Sequence, residues 1–151
     1  MKPILTFIFA YCCNYCFCQS TNTEIISLQD SLVIKIDYAE DYKGYGTGSG
    51  FVTAKKGFKF VGVYVHISNP TKGQIDVDLK NAYLVDTGSL AKYGVYSVMG
   101  TGPFTSIKKN EQGLKPGKEL YRKLVFVVPK EIVARFLSFR STLIPISSIQ
   151  N

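Results

Sequence analysis

The sequence predicts an all-β domain, a sandwich or barrel, preceded by a cleaved signal peptide. Three observations carry that expectation. Apolar and polar residues alternate with period two over most of the chain. Glycine- and proline-bearing turns punctuate the alternating runs. A single basic residue near the start leads into a short apolar stretch.

Met1, Lys2 and Pro3 precede "ILTFIFA", and no further charge appears until Glu24. The run is shorter than the roughly 20 apolar residues of a membrane span. The next ten residues, "YCCNYCFCQS", hold all four cysteines. Cys16 and Cys18 are small enough to stand at the first and third positions before a cleavage site, which places the cut before Gln19. Residues 1–18 are then a signal peptide and residues 19–151 a single domain, long enough to bury a core without disulfides. Cys12, Cys13, Cys16 and Cys18 leave with the peptide. "CNYC" has the spacing of half a zinc or redox site, but adjacent cysteines at 12 and 13 do not readily turn toward one ion with 16 and 18. No cysteine follows the Gly, Ala or Ser that lipid attachment favours. The expectation is export to the periplasm or the medium without a lipid anchor, and with no membrane span after cleavage.

The chain carries 18 Lys+Arg against 11 Asp+Glu, a net +7 that falls by one if Lys2 is lost. This excess suits anionic envelope components, glycans or acidic proteins, and export argues against nucleic acid. In order, "SLVIKIDYAEDY" places Leu32, Ile34, Ile36 and Tyr38 on one face. "FKFVGVYVHIS" places Val61, Val63, Val65 and Ile67 opposite Phe60, Gly62, Tyr64 and His66. "QIDVDL" turns Ile75, Val77 and Leu79 inward. "NAYLVD", "ELYRKLVFVVP" and "ARFLSFRS" continue the series, and "STLIPISSIQN" is apolar enough for a last strand. "SNPTKGQ", "DTGS", "GTGP" and "LKPGKE" are the turns. "PKEIVARFL" has room for about one helical turn. "EDYKGYGTGSGFVTAKKG" breaks the rhythm and reads as a flexible loop, either a mobile tip or an aromatic contact loop using Tyr42, Tyr45 and Phe51.

The order "KFVGVYVHISNPTKGQIDVDL", "NAYLVDTGSLAKY", "LKPGKELYRKLVFVVPKEI" and "RFLSF" resembles the telokin-like, immunoglobulin-like extracellular domains of unknown function found on bacterial exported proteins and lipoproteins. The shared elements are the Asn-centred turn, Pro116-Gly117, and a strand from Phe126 to Pro129, within residues 58–140. The resemblance implies an immunoglobulin-like β-sandwich and an exported location. It brings no catalytic residue, cofactor or metal.

Motifs with chemistry are few. "YLVDTGSL" contains the Asp-Thr-Gly of aspartic peptidases, which pair two such aspartates across a dimer around a shared proton. Here Asp86-Thr87-Gly88 stands midway along the chain, with no glycine after Gly117 to buttress such a site. A turn explains each residue. The Gly44-to-Gly50 run lacks the following helix that a phosphate loop needs. Asp76 and Asp78 share a face, but calcium takes six to eight oxygens. One histidine, His66, cannot make a zinc site alone. A Ser-His-Asp triad lacks a nucleophile elbow. The basic run Lys108, Lys109, Lys115, Lys118, Arg122 and Lys123 reads as a solvated turn region or a contact for an anionic glycan or headgroup. The sequence therefore points to a non-enzymatic binding or interaction module with an unassigned partner. A dimeric aspartic peptidase and a purely structural envelope protein are the alternatives.

Overall fold

The structure, a computed structural model, describes residues 25–27, 32–47, 50–86, 88–101, 106–147 and 149–150. The expected signal peptide over residues 1–18, its cysteines, Gln19, Gly48 and Thr87 lie outside the described residues. Among the described residues thirteen strands follow in chain order: β1 (Ile25–Ser27), β2 (Val33–Tyr42), β3 (Gly44–Thr47), β4 (Gly50–Thr53), β5 (Phe58–Ser68), β6 (Ile75–Asp78), β7 (Tyr83–Asp86), β8 (Lys92–Met99), β9 (Glu111–Leu114), β10 (Glu119–Pro129), β11 (Ala134–Phe139), β12 (Thr142–Pro145) and β13 (Ile149–Gln150). Among the described residues, the helical content is one 3-10 turn at Leu79–Asn81, capped by the Asp78 side chain. No helix there is long and apolar enough to cross a membrane.

The strands form two layers around one core. β2, β5, β10 and β8 lie side by side in the first layer, and β12, β11 and β7 in the second. β8 joins them, pairing with β10 through Val95–Met99 and with β7 through Lys92–Gly94. β1 and β13 both line β2, and β6 pairs with β9. Strict alternation on β5 and β10 sends Val61, Val63, Val65, Ile67, Leu124, Phe126 and Val128 inward. They meet Leu84, Leu137, Phe139 and Ile144 of the second layer. The two layers thus turn apolar faces toward each other, and burying those faces is the main stabilising term.

Two departures from strict alternation matter. The β2–β5 register shifts between Ile36 and Tyr38, so Asp37 bulges and every later side chain changes face. Tyr38, expected beside Ile36 in the core, instead stacks on Tyr64 at 4.0 Å on the outer face, and Ala39 takes the inward place. The β10–β8 register skips Tyr96, so that ring is expelled to solvent. The segment after Pro129 makes a single hydrogen-bonded turn, Ile132 N–H to Pro129 O, before β11 begins at Ala134.

The outer face of the first layer carries a second, smaller core. The glycine-rich stretch is a β-hairpin, β3 with β4, that folds back onto this face. Glycine contributes no side chain to either face, so alternation there is carried by Tyr45 and Val52 alone, which sit opposite each other. Tyr45 packs with Phe60, Met99 and Val125, while Tyr42, Val52, Ala54 and Val127 line the edge of the cluster. Gly44 is required by close approach. A Cβ there would lie 2.6 Å from the Phe51 ring and 2.7 Å from Val52 O.

Candidate functional site

The expected contact loop is thus mostly docked. Tyr45 is buried, Tyr42 is half-buried against Phe60 at 5.7 Å, and Phe51 alone of the three is openly presented, 71% exposed on the far face of the hairpin. The six cations of the basic run do not form one patch either. Lys115 and Lys118 flank the turn at Gly117. Alternation sends the neighbours Arg122 and Lys123 to opposite faces of β10. Arg122 donates to Gln112 Oε1 at 2.7 Å. Lys123 is buried on the outer face, with Nζ 2.6 Å from Glu40 Oε1 and 4.2 Å above the Tyr42 ring. Gly62 makes room for that lysine, since a Cβ there would meet Lys123 Cε at 2.6 Å.

Lys108 and Lys109 are the members of the run that reach a hollow. The segment after Ser106 lies along β8, with Lys108 N–H donating to Val98 O at 2.8 Å and Gly100 N–H to Ser106 O at 3.0 Å. Between this segment and the hairpin opens a cleft of about 450 Å³, its walls formed by Tyr45, Thr47, Val52, Tyr96, Ser97, Ile107, Lys108, Lys109 and Asn110. Fold geometry therefore unites Tyr45 of the glycine stretch with two cations some sixty residues later. Tyr96 and Ile107, both strongly exposed, form the rim. Tyr96 escapes a reading of the sequence because a bulge, not alternation, aims it; bulges often re-aim side chains next to sites.

The cleft mixes polar and apolar groups. Burial pushes the Tyr45 hydroxyl's pKa up, Tyr96 adds to the effect, and Ser97 and Lys123 oppose it. Burial, reinforced by the Glu40 carboxylate, raises that of Tyr42 further. Both phenols stay neutral at physiological pH; the Tyr45 ring lines the cleft, while the Tyr42 hydroxyl is buried outside it. Ser97 Oγ is buried and makes no hydrogen bond of good geometry among the described residues. Neutral donors beside exposed ammonium groups favour an anionic or hydroxyl-rich occupant. Across Tyr96 and Val52 a second, more apolar slot of about 320 Å³ runs between β4 and the sheet, lined by Phe58, Phe60 and Val127.

The remaining motifs resolve into local structure. Asp86 ends β7, and its Oδ2 accepts from Ser89 N–H at 2.9 Å and Ser89 Oγ at 2.6 Å, so the carboxylate closes the turn to β8. The Ser89 hydroxyl first, then backbone N–H groups, hold its pKa below the usual carboxylate range against the opposing effect of burial. A depressed folded-state pKa stabilises the fold above the ordinary carboxylate range, and that stability is lost as pH falls through the lowered value. Ser89→Ala is therefore expected to lower the thermal midpoint at neutral pH, with wild type and variant converging as pH falls through the lowered Asp86 pKa. A pH series of melting curves checks this. His66 stacks on Tyr121 at 4.0 Å, with Nε2 3.2 Å from Glu119 Oε2. Among the described residues, no group of three or more His, Cys, Asp or Glu is placed to hold a metal ion.

No protein-family description matches the chain, and no curated protein does. Two solved structures share its fold. An uncharacterized β-sandwich protein from Clostridium difficile 630 superposes with a TM-score of 0.55 at 13% identity, covering 80% of this chain and 87% of that one. A conserved hypothetical protein from Bacillus anthracis gives 0.59 at 19% identity, covering 83% and 93%. The chain is a β-sandwich. At these identities the likeness carries the fold and nothing about activity.

Proposed function

We propose that the protein is an exported, non-enzymatic interaction module of the cell envelope or extracellular space. Its framework is an immunoglobulin-like sandwich, and its working surface is the cleft between the β3–β4 hairpin and β8. The strand orders support the framework. β2-β5-β10-β8 and β12-β11-β7 run like the A-B-E-D and G-F-C sheets of a constant-type immunoglobulin domain, with the β3–β4 hairpin inserted between the first two strands. The basic and apolar start of the chain supports export.

One observation carries the functional reading: a hairpin, a bulge and a long connection together bring Tyr45, Tyr96, Lys108 and Lys109 around one hollow. The partner class this favours is an anionic protein, glycan or envelope component, without a cofactor. The peptidase alternative draws no support from Asp86, whose Oδ2 is taken up by its own turn.

Paired charge removals test the reading. Lys108→Gln with Lys109→Gln is expected to weaken retention on immobilised dextran sulfate about tenfold, at least one unit in log affinity. Lys115→Gln with Lys118→Gln removes the same charge away from the cleft and is expected to change retention far less. Equal losses from both pairs would mean that net charge, not the cleft, does the binding.

A further inference from the structure

We infer that the open edge of β4 accepts an extended acidic peptide as an added strand, so that the hairpin becomes three-stranded over the outer sheet face. The inference rests on the cleft being a binding surface and names the partner class.

Among the described residues β4 pairs with β3 alone. Ala54 N–H donates to Lys43 O at 2.8 Å, which sets the phase of the ladder. Antiparallel alternation then turns the backbone N–H and C=O of Phe51 and Thr53 away from β3, toward the open edge. An unpaired edge of this kind is a template for another chain. Natural edges are protected by proline, bulges or covering loops; β4, Gly50–Thr53, has neither proline nor bulge, and no other described strand pairs with its outer edge.

What lies beside the edge suits a strand rather than a compact ligand. The apolar slot of about 320 Å³ runs along Val52, Thr53 and Ala54 of the hairpin, with Phe58, Tyr96 and Val127 opposite. An added strand presents alternate side chains to this slot and away from it. One apolar side chain per two residues would enter the slot. Its neighbours would meet lysine ammonium groups: Lys55 borders the slot, and Lys108 and Lys109 border the adjoining cleft across the shared Tyr96 and Val52. None of these three lysines has a carboxylate partner among the described residues. Uncompensated cations beside an open backbone edge select acidic residues flanking an apolar one, and disfavour basic peptides.

The test is an array of eight-residue peptides in which a central Val, Ile or Phe is flanked by Asp, Glu, Ser or Lys, probed with the mature domain. Retention of the acidic set, with the lysine set bare, is the expected result. Thr53→Pro removes the outward N–H, which an edge position tolerates. It is expected to weaken the retained peptides at least about fivefold, as one lost backbone hydrogen bond would. Tyr96→Ala, at a residue 58% exposed whose ring borders Phe60, should weaken them similarly, with an unchanged melting curve confirming that the fold is kept. Peptide retention indifferent to both variants would overturn the inference. So would a domain that elutes as a dimer through the same edge. An empty array together with cleft-dependent dextran sulfate binding would overturn the peptide while leaving the interaction-module reading in place. An empty array with no cleft-dependent binding of any kind would overturn both.

Discussion

Asn69→Ala is expected to lower the unfolding free energy by about 3–4 kcal/mol, although it removes no apolar contact of note. Asn69 is 1% exposed, and each of its polar groups is engaged. Its Nδ2 donates to Gly73 O and to Leu114 O, both at 2.8 Å. Its Oδ1 accepts from Thr71 N–H at 3.0 Å and Thr71 Oγ at 2.7 Å. Its backbone N–H donates to Lys118 O and its carbonyl accepts from Gly117 N–H. The side chain thus ties the β5–β6 turn to β9, and the backbone of the same residue ties it to the turn before β10. Truncation leaves the buried Leu114 carbonyl without this donor, which costs more than the net value of the bond itself. Thr71→Ala removes the hydroxyl bonds to Asn69 Oδ1 and Gly73 on an accessible turn but keeps the Thr71 N–H to Oδ1, and is expected to cost about 1 kcal/mol. Urea unfolding of both variants checks the ordering; an Asn69→Ala loss under about 1 kcal/mol would show that the turn closes without this residue.

Lys123→Met is the second large effect. The ammonium is buried between the Tyr42 and Tyr64 rings, and Glu40 Oε1 also accepts from Tyr64 O–H at 3.0 Å. Removing the lysine strands a carboxylate among aromatic rings. Glu40 keeps about a third of its exposure, so the cost is discounted from the fully buried case to about 2–3 kcal/mol. Adding Glu40→Gln to Lys123→Met should recover part of that loss, because the stranded charge is then gone. Strict additivity of the two variants would mean the pair is not coupled. The hairpin rests on this group through Tyr42, so loss of protection at the Tyr45 amide in hydrogen exchange should accompany the single substitution.

Both residues show what the sequence discloses and what it hides. Period-two alternation on β5, β6 and β10 names the inward residues of those strands directly, since a strand with one buried face has no other solution. Alternation fails at Tyr38 and Tyr96 for the same physical reason. A bulge adds one residue to one strand and reverses the faces beyond it, and nothing in the local composition marks Asp37 or Tyr96 as the extra residue. The glycine stretch reads as a loop because glycine leaves a strand's faces blank; only the facing of Tyr45 and Val52 across the hairpin reveals the pattern. Asn69 is visible as a turn residue, but its bond to Leu114 joins positions 45 residues apart. The basic run disperses because Arg122 and Lys123 are strand neighbours, while Lys108 and Lys109 meet Tyr45 only through the fold.

The central claim is that the hairpin–β8 cleft is the binding surface of an exported module, and it can be tested directly while the partner is still unidentified. A photo-reactive phenylalanine analogue is placed at Tyr96 on the cleft rim and, separately, at Tyr83, which is 37% exposed on β7 of the opposite layer. Irradiation of cells exporting each variant should give a discrete cross-linked species from position 96 and none from position 83. That species should vanish when Lys108 and Lys109 are changed to glutamine. The same species from both positions, or none from position 96 while position 83 captures a partner, would contradict the account.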